Sequence, residues 1–103
     1  MTPGETPGFF FMEDSTVKIT VAGQVQMVGY RWFAKQHADM LGIAGYVRNT
    51  SRGEVEIIAQ GPEDAIRVFM DYLRAGPSRA RIDRIVREPF EGECYFQQFS
   101  IKM

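Results

Sequence analysis

The sequence predicts an α+β fold of order β-α-β-β-α-β with an additional C-terminal strand, and three observations predict it. Segments with two-residue apolar alternation take turns with segments whose apolar residues recur at three- and four-residue steps. Each helical segment runs into a glycine placed to stop it, Gly42 after the first and Gly76 after the second. The two middle strand segments are joined by the short turn Ser51-Arg52-Gly53, the spacing of a hairpin.

The first strand is Val17-Lys18-Ile19-Thr20-Val21, half apolar and half polar by alternation. A glycine-bearing turn follows, and a helix begins near Trp32, with Phe33, Ala34, His37, Ala38 and Leu41 on its apolar face. Strands over 45–50 and 53–60 form the hairpin. In the second of them Val55, Ile57 and Ala59 share one face, and Glu54, Glu56 and Ile58 the other. Gly61-Pro62-Glu63-Asp64 starts the second helix, with acids where the helix dipole favours them. Its buried face carries Ala65, Ile66, Phe69 and Leu73, and Gly76-Pro77 ends it. Strands over 81–87 and 95–102 follow, with Phe99 and Ile101 facing inward. Right-handed crossovers in this order place both helices on one face of an antiparallel sheet, the ferredoxin-like arrangement. The turn after the first strand then lies at one end of the sheet, on an inner strand.

With 103 residues the chain is long enough for one core and too short for two. Residues 1–14 are turn-rich and aperiodic apart from Phe9-Phe10-Phe11-Met12, and are expected to form a flexible extension to a domain over 15–103. They lack the basic start and long apolar region of a secretory signal. A formal net charge of −1 argues against a general nucleic-acid or membrane-surface binder. An RNA-recognition module shares this element order, but it stacks bases on aromatics of its first and third strands, and here those strands carry none. The single cysteine, Cys94, rules out an internal disulfide and a cysteine-based metal site within one chain. It fits a reducing, cytoplasmic setting, and no apolar run is long enough for a transmembrane helix.

The most informative stretch is Gly23-Gln24-Val25-Gln26-Met27-Val28-Gly29-Tyr30-Arg31. A glycine-bearing turn between strand and helix aims backbone N–H groups and the positive end of the helix at one point. Arg31 adds a planar guanidinium suited to phosphate or carboxylate oxygens. The arrangement calls for an anion. Taken singly, these residues have ordinary readings: Arg31 as surface charge, Asn49 as a turn residue, the glycines as turn formers. His37 reads as a core or boundary residue of the first helix rather than a general base, and Cys94 as inert. Arg79, Arg81, Arg84 and Arg87, interspersed with acids, read as a solvated edge strand.

Jointly, the residues resemble the acylphosphatase family from about Val17 to the C-terminus. The family's phosphate loop, G-x-V-Q-G-V-x-[FY]-R, is met by Gly23, Val25, Gln26, Val28, Tyr30 and Arg31. Its second motif, G-[WY]-V-x-N followed by a turn and G-x-V, is met by Gly45, Tyr46, Val47, Asn49, Gly53 and Val55. The resemblance implies hydrolysis of acyl phosphates to carboxylate and phosphate, without cofactor, metal or covalent enzyme intermediate. It implies a phosphate held by Gln24, Val25, Gln26, Met27, Val28, Gly29, Tyr30 and Arg31, with Arg31 and Asn49 catalytic, Asn49 orienting the attacking water. The expected partner is a small acyl phosphate, with no nucleic acid or membrane, acted on by a monomer. Arg48, by strand alternation, is expected on the sheet face opposite Asn49. The chain departs from the motif at Met27, where the family has a second glycine. This leaves a rival reading, an anion-binding relative whose catalysis Met27 impairs.

Overall fold

A computed structural model of the chain describes residues 14–92 and 95–103. The extension expected over residues 1–14 therefore falls, Asp14 apart, outside the described residues, and so does Cys94. The elements are β1 (Ser15–Gln24), α1 (Tyr30–Leu41), β2 (Ala44–Asn49), β3 (Val55–Gly61), α2 (Glu63–Ala75), β4 (Arg81–Pro89) and β5 (Phe99–Lys102). The sheet order is β4-β1-β3-β2-β5.

The four strands of the βαββαβ unit are antiparallel throughout, with β1 between β3 and β4 and Ile19 opposite both Ile57 and Arg87. The additional strand differs from the expected all-antiparallel sheet: β5 pairs parallel with β2, Val47 opposite Ile101. The reason is topological. β4 is antiparallel to β1, so it ends where β1 begins, with Pro89 beside Val17. β2 starts at that same end. A chain that crosses this end to reach β2's free edge must then run in β2's direction. Phe90 N–H donates to the Thr16 carbonyl at 3.1 Å, and Gly45 N–H to the Gln98 carbonyl at 3.1 Å, marking the departure and the arrival. Between them the Phe96 ring meets Tyr46 edge-on. β5 is also shorter than expected, because only its last four residues reach the edge of β2.

Both helices cover one sheet face. Val17, Ile19, Val21, Val47, Val55, Ile57, Ala59 and Phe99 from the strands pack with Ala34 and Ala38 of α1 and Ile66, Phe69, Met70 and Leu73 of α2. Each large side chain fully buried there contributes on the order of 1.5–3 kcal/mol. Ile58, on the opposite face, is buried as well. The pairing of β2 with β3 needs Gly45 for steric reasons: it stands opposite Ala59, and a Cβ there would lie 1.8 Å from the Ile58 carbonyl oxygen. β4 is an edge strand whose arginines are occupied. Arg81 pairs with Asp83, Arg84 with Glu54 and Arg87 with Glu63. The Arg87 hydrogen bond holds the Glu63 carboxyl below its ordinary range. Among the described residues no helix is long and apolar enough to cross a membrane.

The two helix starts differ in a way that bears on function. α2 carries Glu63 and Asp64 in its first turn, which complement its own dipole. α1 has no acidic residue in its first turn, and its N-cap, Gly29, provides no side-chain hydrogen bond. The positive end of α1 is left for something else.

Candidate active site

The loop between β1 and α1 is fastened at three points. Val25 and Tyr30, each 1% exposed, drive into the core at its two ends. The Tyr30 hydroxyl donates to the Leu73 carbonyl at 2.7 Å. That carbonyl would ordinarily accept from residue 77, which is Pro77 and has no N–H, so the phenol takes the place of a helical bond. Burial pushes the Tyr30 phenol well above its ordinary pKa. The third fastening is Gln26, whose Nε2 donates to the carbonyls of Thr50 (3.1 Å) and Glu54 (2.9 Å). These residues close the β2–β3 turn, where the Thr50 hydroxyl also accepts from the Arg52 and Glu54 amides at 3.2 Å. The loop is thereby tied to the turn that follows Asn49.

Between its anchors the loop bends through two left-handed residues, Met27 at φ 64° and Gly29 at φ 80°. Such bends direct successive amides toward a common concavity. No hydrogen bond from the backbone N–H groups of residues 27–32 to another described residue is formed. At Met27 the left-handed conformation costs on the order of 1–2 kcal/mol relative to glycine. The residue is 97% exposed, so it does not pack into the loop's concavity. The rival reading, in which Met27 impairs the loop, gains no support from this geometry.

Over the loop lies a pocket of ≈ 190 Å³ lined by Val25, Met27, Gly29, Tyr30, Arg31, Trp32, Asn49 and Ile101. Arg31 Nη1 donates to the Lys102 carbonyl at 3.3 Å. Arg31 has no carboxylate partner among the described residues, so its charge stays available to a ligand. Asn49 ends β2, and its Oδ1 is buried with no hydrogen-bond partner. An unpartnered buried amide oxygen is costly unless water or a ligand meets it. The pocket thus brings together unpaired amides, a guanidinium without a carboxylate partner among the described residues, and the unpartnered Asn49 side-chain amide. None of its lining residues is Asp, Glu, His or Cys. A larger hollow of ≈ 420 Å³, at the start of β1, is lined by Ser15, Thr16, Val17, Arg87, Glu88 and Pro89. Its cation, Arg87, is already taken by Glu63 at 2.7 Å, and it has no comparable set of free groups.

The structure brings Val25, Met27, Gly29, Tyr30, Arg31 and Asn49 together at the pocket, but not every residue of the expected phosphate loop. Gln24 is the exposed end of β1, opposite Arg81. β1 runs three residues past the alternating segment because pairing with β4 extends it. Gln26 turns to the hairpin, and Val28 packs against the core. Arg48 lies on the opposite face, paired with Glu56. His37 is a boundary residue of α1, stacked on Tyr72 at 3.9 Å and against Phe33 at 4.5 Å, away from the pocket. Sequence reasoning missed Trp32 and Ile101. Trp32 follows Arg31 in the first turn of α1 and could have been found from that position. Ile101 depends on the direction of β5, which no local signal gives.

The Acylphosphatase family profile matches residues 17–101. An acylphosphatase of Deinococcus radiodurans is 48% identical over 81 residues, covering 79% of this chain and 92% of its own. One of Caldivirga maquilingensis is 44% identical over 87 residues, covering 84% and 92%. The crystal structure of an acylphosphatase from Bacillus subtilis superposes with a TM-score of 0.81 at 34% identity, covering 85% of this chain and 98% of that one. With this sequence match across the folded part, and the same fold in a solved relative, the chain belongs to the acylphosphatase family.

Proposed function

We propose that this chain is an acylphosphatase that hydrolyses acyl phosphates to carboxylate and phosphate, using the pocket over the β1–α1 loop. The amides of the loop and of the first turn of α1 take the phosphoryl oxygens, with the Arg31 guanidinium across them. Asn49 Oδ1 accepts a hydrogen from a water and turns its lone pair toward phosphorus. The water oxygen attacks phosphorus in line, the bond from phosphorus to the acyl oxygen breaks, and the carboxylate leaves with that electron pair. The water's proton passes to a phosphoryl oxygen of the substrate, since no side chain lining the pocket is a competent base. A carboxylate is a good leaving group and requires no acid. What remains is positioning and stabilisation of charge on the transferring group, which preorganised donors supply. No lining side chain is an anionic or imidazole ligand for a metal, and the reading is of a metal-free, cofactor-free reaction. With it go a monomeric state and a cytoplasmic setting, the latter on the single cysteine.

The observation that carries the proposal is the buried, unpartnered Asn49 Oδ1 in the same pocket as Arg31 and the unpaired loop amides. The test is hydrolysis of benzoyl phosphate by the purified chain in EDTA, with Arg31→Ala as control. Turnover that survives the chelator and falls at least ~10²-fold in the variant is expected. Activity that needs added metal, or that Arg31→Ala leaves intact, would overturn the assignment.

A further inference from the structure

Met27 is strained and receives nothing for it from the folded chain. Its φ of 64° belongs to the left-handed region that favours glycine. With 97% of the residue exposed, packing within the protein does not offset the strain. Strain held at a site in this way points to a role in function. Beside it Trp32, the chain's one tryptophan, is 57% exposed. Both line the pocket that holds Arg31 and Asn49, and the half-buried Ile101 lines it too.

These side chains give the pocket two unlike parts. Asn49 and Ile101 come from the sheet, at the ends of β2 and β5, whereas Met27 and Trp32 come from the loop and the first turn of α1. In an in-line displacement the water and the leaving group stand on opposite sides of phosphorus. With water held by Asn49 at one end of that axis, the acyl group leaves at the other, toward the solvent-exposed rim of the pocket where Met27 and Trp32 stand. There a polarizable thioether and an indole face offer contact to a flat apolar group.

We propose that Met27 and Trp32 form an acyl-recognition wall that selects acyl phosphates bearing an aromatic or bulky apolar acyl group over acetyl phosphate. This rests on the acylphosphatase reading above and names the substrate class within it. An acetyl group offers such a wall little apolar surface, while a benzoyl ring offers it a flat aromatic face.

The test compares kcat/KM for benzoyl phosphate and acetyl phosphate in the wild type, Trp32→Ala, Trp32→Phe and Met27→Gly. Using each variant's ratio relative to wild type cancels the intrinsic reactivities of the two substrates. Trp32→Ala should lower the benzoyl-to-acetyl ratio about tenfold, equivalent to ~1.4 kcal/mol, chiefly through KM for benzoyl phosphate. Trp32→Phe, which keeps an aromatic face, should restore most of the ratio. Met27→Gly should lower the ratio as well, while raising Tm by a few degrees as the backbone strain is relieved. A ratio lowered by less than about threefold in either Trp32→Ala or Met27→Gly, in an enzyme that hydrolyses both substrates, would overturn the wall and leave the activity standing. A folded wild type that hydrolyses neither substrate would overturn the activity itself, and the wall with it.

Discussion

Gln26 offers the sharpest test of how the site is built, because its side chain braces the loop against the hairpin turn while its backbone stays part of the loop. Its amide nitrogen donates to the carbonyls of Thr50 and Glu54 at 3.1 and 2.9 Å, joining the β1–α1 loop to the turn after Asn49. Gln26→Ala removes both bonds. At ~1 kcal/mol net for each neutral, part-buried bond, the loss is about 2 kcal/mol. For a domain of this size that lowers Tm by about 10 °C. It also lets the loop drift relative to Asn49. A displacement approaching 1 Å costs on the order of 10²-fold in rate, so kcat/KM should fall by more than the stability change alone explains.

Gln26→Glu sharpens the point. It is nearly isosteric but presents a carboxylate to two carbonyl oxygens. At neutral pH it should be less stable than Gln26→Ala despite the closer fit. Protonated, it can donate one bond, so the folded state favours the neutral acid and raises its pKa above the unfolded value of ~4.3. The stability it contributes is present below that pH and is lost as pH rises through the folded value. Urea denaturation followed by far-UV circular dichroism, from pH 4 to 8, measures this directly. A Gln26→Ala protein within ~0.5 kcal/mol of wild type with unchanged kcat/KM would refute the reasoning, as would Gln26→Glu matching wild type at pH 7.

Three further outcomes are expected. Asn49→Ala should lower kcat by roughly 10²-fold while inhibition by inorganic phosphate stays within about threefold, since its partner is the water; equal losses in both would contradict that role. Tyr30→Phe leaves the Leu73 carbonyl without its donor and should cost about 1–2 kcal/mol. Because the folded protein holds the Tyr30 phenol above its ordinary pKa, wild-type stability is intact below the unfolded value of ~10 and declines as pH rises beyond it. Tyr30→Phe should flatten that alkaline limb, and an unchanged limb would assign it to other groups. Gly45→Ala would place a Cβ 1.8 Å from the Ile58 carbonyl oxygen at a φ of +139°; loss of cooperative thermal unfolding is expected, and a Tm within a few degrees of wild type would show that the strands can move apart.

The sequence alone determined the order of elements, because alternation and helical spacing are local properties that each segment carries with it. It placed Arg31 at the start of α1 and Asn49 at the end of β2, and by alternation it put Arg48 on the other face. It also marked Met27 as the departure from the loop pattern. Only the tertiary structure decided what these residues meet. What a glutamine side chain in a loop meets depends on which carbonyls the hairpin brings within reach, here those of Thr50 and Glu54, some 24 and 28 residues away. The direction of β5, and with it Ile101 at the pocket and the Lys102 carbonyl at Arg31, follows from which end of the sheet β4 leaves. Met27 could have crowded the loop or left it open, and in the folded chain, almost fully exposed, it leaves the loop open. Local patterns fix the pieces and the faces they bury. Register, strand direction and the partners of polar side chains arise from contacts between segments distant in the chain, which no short window contains.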